Sequence, residues 1–220
     1  LCYAAIFVMW GMNQNIKKAI AVSASVFIAL VAYYGSYLPM QKSMLFIDAM
    51  QKVSNAKTIS DFEQTFSVPL DAPSPIGQEE LVRSTANTVA NSLQNVSDPR
   101  AVDELVKYIE TYYQPIIARD KGMSFGQDVY LLGAMNEFAF IKTGDKKYLL
   151  AAEGYFKHET ELGPKRPQGL YGLLDVYRME GRIDDFKKVA DQVLQQWPDD
   201  TRTKAIVDQV LKTAPQAVQK

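Results

Sequence analysis

Few side chains in this 220-residue chain are of a type and spacing that could carry out a reaction. His158 is the sole histidine and Cys2 the sole cysteine. An internal disulfide and a cysteine zinc site are therefore excluded by count, and no histidine-based metal site or histidine-paired dyad can exist beyond His158. His158 stands in the polar stretch KHETEL, which suits a solvated helix surface, and Cys2 lies in an apolar run that suits inert packing. The adjacent carboxylates Glu79 and Glu80, Asp184 and Asp185, and Asp199 and Asp200 fall where helices start or the chain turns. Capping and helix-dipole roles explain them without acid–base catalysis. Lys146 and Lys147, like Lys187 and Lys188, read as helix-surface charges. There is no glycine-rich phosphate loop, nucleophile elbow or metal motif. The sequence thus predicts no catalytic residue, no metal site and no cofactor.

Aromatic residues are the remaining candidates for recognition. Tyr108, Tyr112, Tyr113, Phe138, Phe140, Tyr148, Tyr155, Phe156, Tyr171 and Tyr177 could line a groove for a sugar or peptide, but most fall on the apolar faces of helices, where packing accounts for them. Four polar or amphipathic positions are left as a candidate groove: Asn136, Tyr171, Asp175 and Arg178.

The elements that must position these residues follow from charge and periodicity. Formal net charge is −1, from 24 basic and 25 acidic residues, so no global field attracts nucleic acid. Lys17 and Lys18 are the only charges among the first forty residues. Residues 19–38 read AIAVSASVFIALVAYYGSYL, uncharged and long enough for a transmembrane helix of roughly 20 residues. Small side chains at Ala21, Ser23, Ala24, Ser25 and Ala29 suit close helix packing in lipid, and Tyr33, Tyr34 and Tyr37 suit the headgroup level. Pro39 is expected to end this helix. Residues 1–10, LCYAAIFVMW, are about half a span and read as the end of a preceding membrane helix, with Trp10 at its interface. Residues 11–18 then form a short basic hairpin. By the positive-inside rule that hairpin is cytoplasmic, which places the rest of the chain outside the inner membrane of a bacterium. A secretory signal peptide fits less well: the run exceeds the ~7–15 apolar residues of such a segment, and an apolar stretch precedes the lysines.

Downstream the pattern becomes amphipathic, and strand signals are nearly absent. The fold class is all-α. Residues 39–127 read as an irregular helical region: a helix to about residue 56, a short helix over 61–66 capped by Ser60, an irregular VPLDAPSPIG, a helix over 78–93 and another over 98–113. Pro115 is expected to break the last of these, leaving a short continuation over 116–118.

Residues 128–200 carry an internal repeat. Phe140 precedes Gly144 by four residues, and Tyr177 precedes Gly181 by four. Pro164 and Pro198 each follow an apolar-striped helix. The glycines are 37 residues apart and the prolines 34, close to the ~34-residue tetratricopeptide period. Each unit is expected to be a helix pair: 128–142 with 148–162, and 168–180 with 184–197. Residues 201–220 supply a capping helix, to about 214, and a tail. Here the sequence resembles the tetratricopeptide repeat family, with Ala152 and Phe156 at its small-then-large positions. The second unit departs from that pattern, with Phe186 and Ala190 in swapped sizes.

The order of features has a wider likeness. A membrane-helix end, a basic hairpin, a final membrane helix, the stretch SPIGQEELVRSTA at 74–86 and a helical tail together resemble the C-terminal end of bacterial O-antigen ligase-like membrane proteins. That resemblance implies a membrane-embedded parent that transfers or polymerises lipid-linked glycans on the outer face of the inner membrane. Its catalytic residues would lie upstream, so none is carried over here. The chain is expected to be an extracytoplasmic accessory domain that contacts membrane lipid and a protein partner. The alternative is a single-span periplasmic chaperone or assembly protein without enzymatic activity.

Overall fold

The computed structural model describes residues 13–213, and among them all regular structure is helical. The expected half-span over 1–10, with Cys2 and Trp10, and the tail beyond Thr213 lie outside the described residues. The chain forms two compact units that divide at Leu81 and Val82. The region 39–127, read from sequence as one irregular domain, is therefore shared between them.

The first unit is dominated by one long helical run. Helix α1 (Gln14–Ala32) starts behind Asn13, whose side-chain oxygen accepts the Asn15 N–H at 2.9 Å. Lys17 and Lys18 consequently stand in its first two turns and not in a connection. A π-helical segment, Tyr33–Tyr37, leads directly into α2 (Leu38–Lys52) and a 3-10 turn, Val53–Asn55. Pro39 does not end the helix as expected. The Leu38 N–H reaches back five residues to the Tyr33 carbonyl, and this widened turn accommodates a ring that would otherwise clash with the carbonyl four residues before it. The run from Gln14 to Asn55 has 42 residues and an 18-residue window of mean hydropathy 1.8, with no part of that window buried. Among the described residues it is the one helix long and apolar enough to cross a membrane. At ~1.5 Å per residue it is about 63 Å long, twice a hydrocarbon core of ~30 Å.

Helix α3 (Ile59–Asp71) packs on α2. Its cap is Thr58, not Ser60: Thr58 Oγ1 accepts the Asp61 N–H at 3.1 Å, and Asp61 Oδ2 accepts the Thr58 N–H at 3.0 Å. The helix also runs through Pro69, in the stretch expected to be irregular. Burial of Phe66, Pro69 and Leu70 compensates for the bond that proline cannot donate. Phe66 packs in tilted contacts with Phe46 of α2, at 6.0 Å, and with Phe62, at 4.7 Å. Lys42 of α2 is buried, and its ammonium donates to the Ala72 carbonyl at 2.7 Å, the Leu70 carbonyl at 3.4 Å and the Gln78 side-chain oxygen. It caps the orphan carbonyls at the end of α3.

The second unit takes in most of α4 (Gln78–Leu93), then α5 (Pro99–Ile117), α6 (Phe125–Thr143), α7 (Lys146–Leu162), α8 (Pro167–Glu180), α9 (Ile183–Gln196) and α10 (Thr201–Thr213). Helix α5 starts at Pro99 behind an Asp98 cap, as the sequence indicates, but it continues through Pro115. Burial of Tyr113 and Ile116 on either side of that proline holds the helix together. A buried polar node ties three helices: Asp128 at the start of α6 receives Arg83 of α4 and the Tyr113 hydroxyl of α5, each at 3.3 Å.

Helices α6 to α9 form two consecutive hairpins, α6 on α7 and α8 on α9, with α7 packed on α8, α6 touching α8, and α10 covering α9. Gly144 and Gly181 close the first helix of each hairpin in the left-handed region, at φ 69° and 70°, the conformation for which glycine is favoured. The core holds Phe156, Leu170, Leu174, Tyr177, Phe186, Ala190 and Val193. Phe156 is buried between two glycines: a Cβ at Gly133 of α6 or at Gly172 of α8 would lie 2.6 Å from its ring.

Candidate functional site

A partly exposed set of polar and aromatic side chains gathers where α6, α8 and the start of α10 share a face. On α6, Tyr130, Ala134, Glu137 and Ile141 follow one another at helical spacing, and Tyr130 and Ile141 are 36% and 56% exposed. On α8, Tyr171, Asp175 and Arg178 form the parallel stripe. Arg202 closes it from α10, its guanidinium 5.8 Å from the Tyr171 ring centre.

The charges on this face are arranged in order. Arg178 Nη2 lies 2.8 Å from Asp175 Oδ1, one turn apart on α8. The Tyr171 hydroxyl donates to Asp200 Oδ2 at 2.7 Å. Asp200 also accepts the Thr203 N–H at 3.0 Å and the Thr203 hydroxyl at 2.7 Å, so it caps α10. The Thr203 N–H leads the hydrogen bonds that hold the Asp200 carboxyl at about 2. Glu137 behaves in the opposite way. Burial, reinforced by the Asp175 charge and only partly offset by Arg178, pushes its carboxyl up to about 7. Among the described residues Glu137 has no ion-pair partner of its own, so it is the carboxyl here whose charge a bound cation or donor would complete.

Of the four candidates read from sequence, the fold brings three together. Tyr171, Asp175 and Arg178 share this face. Asn136 does not: it is buried, and its amide nitrogen donates to the Leu132 carbonyl at 3.0 Å and to Glu110 of α5 at 3.2 Å. The correction is a matter of one residue. Glu137, its neighbour, is turned about 100° further round α6 and faces Asp175. Sequence reasoning also missed Tyr130 and Arg202. The spacing of 130, 134, 137 and 141 was the available signal, but an apolar residue at 134 between polar ones does not by itself separate groove from core.

His158 is held by Asp120 Oδ1 at 2.9 Å and edge-on by the Phe125 ring at 5.8 Å, which is a surface packing role. Among the described residues no group of histidine, cysteine and carboxylate side chains has the geometry for a metal ion. No protein-family profile, curated protein or solved structure matches the chain.

Proposed function

We propose that this chain is a membrane-anchored helical-repeat interaction domain of the tetratricopeptide kind, whose α6/α8/α10 face holds a protein partner. One observation carries the reading. An open face combines exposed Tyr130 and Ile141 with an ordered set of charges and one carboxyl, Glu137, left without a counter-ion. An enzyme site would need a nucleophile or a metal set within reach of a cavity, and no such set is found among the described residues of this face. The apolar run of α1 supplies the anchor, and the lysines at its start favour a domain on the far side of the membrane. By its resemblance to O-antigen ligase-like tails, the domain serves cell-surface glycan ligation or polymerisation, positioning a partner or a lipid-linked glycan at the outer face of the inner membrane.

The direct test places a photocrosslinking residue at Ile141, and in a second chain at exposed Leu150 on α7, in living cells. A discrete crosslinked partner at 141 but not at 150, lost in Glu137→Lys, is the expected result; equal crosslinking from both positions would refute the assignment of this face. A reporter fused after Lys220 is expected to read as extracytoplasmic, and a cytoplasmic signal would overturn the orientation.

A further inference from the structure

Helix α7 carries a glycine that packing does not explain. Gly154 stands at the midpoint of this 17-residue helix, where glycine is destabilising by about 0.5–1 kcal/mol relative to alanine. Other glycines of the same unit make room for a side chain: Gly133 and Gly172 admit the Phe156 ring, Gly169 admits Glu159, and Gly126 and Gly163 admit Arg166. A Cβ at Gly154 would meet nothing within 4 Å. What this glycine leaves open is a groove between α5 and α7, floored by buried Val129 of α6.

Two cavities form the groove and share Ile117 and Tyr155 as walls. One, of about 410 Å³, adds Glu110 and Gln114 of α5; the other, of about 470 Å³, adds Val129, Ala151, Gly154 and His158. Among the described residues no lysine or arginine lines either cavity. Glu110 is held in place from the core. Asn136, 1% exposed, donates its amide to Glu110 Oε1 at 3.2 Å and to the Leu132 carbonyl of its own helix at 3.0 Å. Among the described residues Glu110 Oε2 has no hydrogen-bond partner, and the carboxylate has no ion pair. Burial, joined by the Glu110 charge, pushes the Tyr155 phenol up, so this hydroxyl keeps its proton beside the carboxylate. The other end of the groove is closed by His158, whose Nε2 lies 2.9 Å from Asp120 Oδ1.

We propose that this groove, separate from the partner face, binds an amphipathic cation, with its ammonium or guanidinium head on Glu110 and its apolar stem along Ile117, Tyr155 and Gly154. The charge complement is the Glu110 carboxylate, and an aromatic wall favours a cation further. An anion is opposed by Glu110 and Asp120. A neutral ligand would desolvate the Glu110 carboxylate and offer no charge in exchange. The surface beyond Glu110 is largely apolar, so a wholly polar cation would leave it uncovered. Residues 151–158 of α7 cover about 10 Å, which suits a short stem and not a long acyl chain.

The test uses the isotope-labelled full chain in non-ionic detergent micelles and follows the Ala151 and Tyr155 amide signals by NMR during titration with n-butylammonium. Butanol and butyrate serve as the neutral and anionic counterparts, and an acetyl-Leu-Lys-Leu-amide peptide presents the same head on a lysine stem. Saturable shifts with the cations are expected, with binding about tenfold weaker in Glu110→Gln. Gly154→Leu fills the groove without a clash, so it is expected to abolish binding while the thermal midpoint stays level or rises. Tighter binding of the peptide assigns the groove to a lysine carried by a protein chain, and equal or weaker binding assigns it to a free amine. The proposal is overturned if neither cation gives a saturable shift, or if butanol or butyrate binds as well as n-butylammonium. Unchanged binding in Glu110→Gln or in Gly154→Leu would overturn it equally.

Discussion

Arg182 and Glu153 meet across the junction of the two hairpins, with Arg182 Nη1 3.0 Å from both carboxylate oxygens of Glu153. The same guanidinium reaches Glu180 at 2.9 Å and Asp185 at 2.8 Å and lies 4.4 Å from the Tyr177 ring centre. One side chain between α8 and α9 is thus tied to α7, α8 and α9 together. Glu153 side-chain exposure is only 9%, so removing Arg182 leaves a largely desolvated carboxylate with Lys157, at 2.7 Å, as its remaining ion-pair partner.

Arg182→Ala is therefore expected to destabilise the domain by about 2–3 kcal/mol, more than an exposed ion pair would. Burial raises the Glu153 carboxyl, but the hydrogen bonds from Lys157 and Arg182 outweigh it and the net shift is downward. A depressed carboxyl contributes stability that is present above its unfolded value and lost as pH falls through the folded one. Urea midpoints at neutral pH and below pH ~4 should converge for wild type and variant as this network protonates. Equal midpoints at neutral pH would show that the network contributes nothing.

The Phe156 ring fixes how closely α6 and α8 approach α7. Phe156→Ala is expected to cost about 3–5 kcal/mol by opening a cavity. Gly172→Ala is expected to cost about 1–3 kcal/mol by overpacking, although alanine is the better helix former. Thermal unfolding of the two variants checks both, and a stabilised Gly172→Ala would mean the ring is free to move aside.

Glu137 should make stability fall as pH rises through the range between ordinary carboxyl values and about 7. Its folded value lies above its unfolded one, so in that window the native state holds a proton that the unfolded chain has lost. The slope is then negative, with a loss on the order of 3 kcal/mol that Glu137→Gln should abolish. The variant and wild type are compared by denaturant titration across that window; an unchanged slope in Glu137→Gln would assign it to another group.

Lys42→Leu removes the donor that serves the end of α3 and leaves the Leu70 and Ala72 carbonyls without their side-chain partner. A loss of about 1–3 kcal/mol is expected, confined to the first unit. Limited proteolysis should show faster cleavage near Ser74, while the hairpins of the second unit stay protected.

The extent of legibility differed with the kind of signal. Boundaries for α8, α9 and α10 agree with the sequence reading to within a residue or two, because Gly181, Pro198 and the apolar stripes are local signals that act where they stand. Prolines misled in three places. Pro39, Pro69 and Pro115 each lie inside a helical run. A lost backbone hydrogen bond is a local cost, and burial of neighbours such as Phe66, Leu70, Tyr113 and Ile116, or a π turn at Tyr33–Tyr37, is a tertiary or extended compensation that no short window contains.

The chain by itself thus determined the uncharged span, the all-helical class and the paired helices, all of which depend on composition and periodicity. Tertiary structure alone decided which polar residues work together. Glu137 rather than Asn136 faces Asp175, Arg182 collects carboxylates from three helices, and three glycines clear the space for Glu159 and Arg166. Those relationships are set by the rotation of one helix against another, a quantity that residue types fix only after the helices have packed.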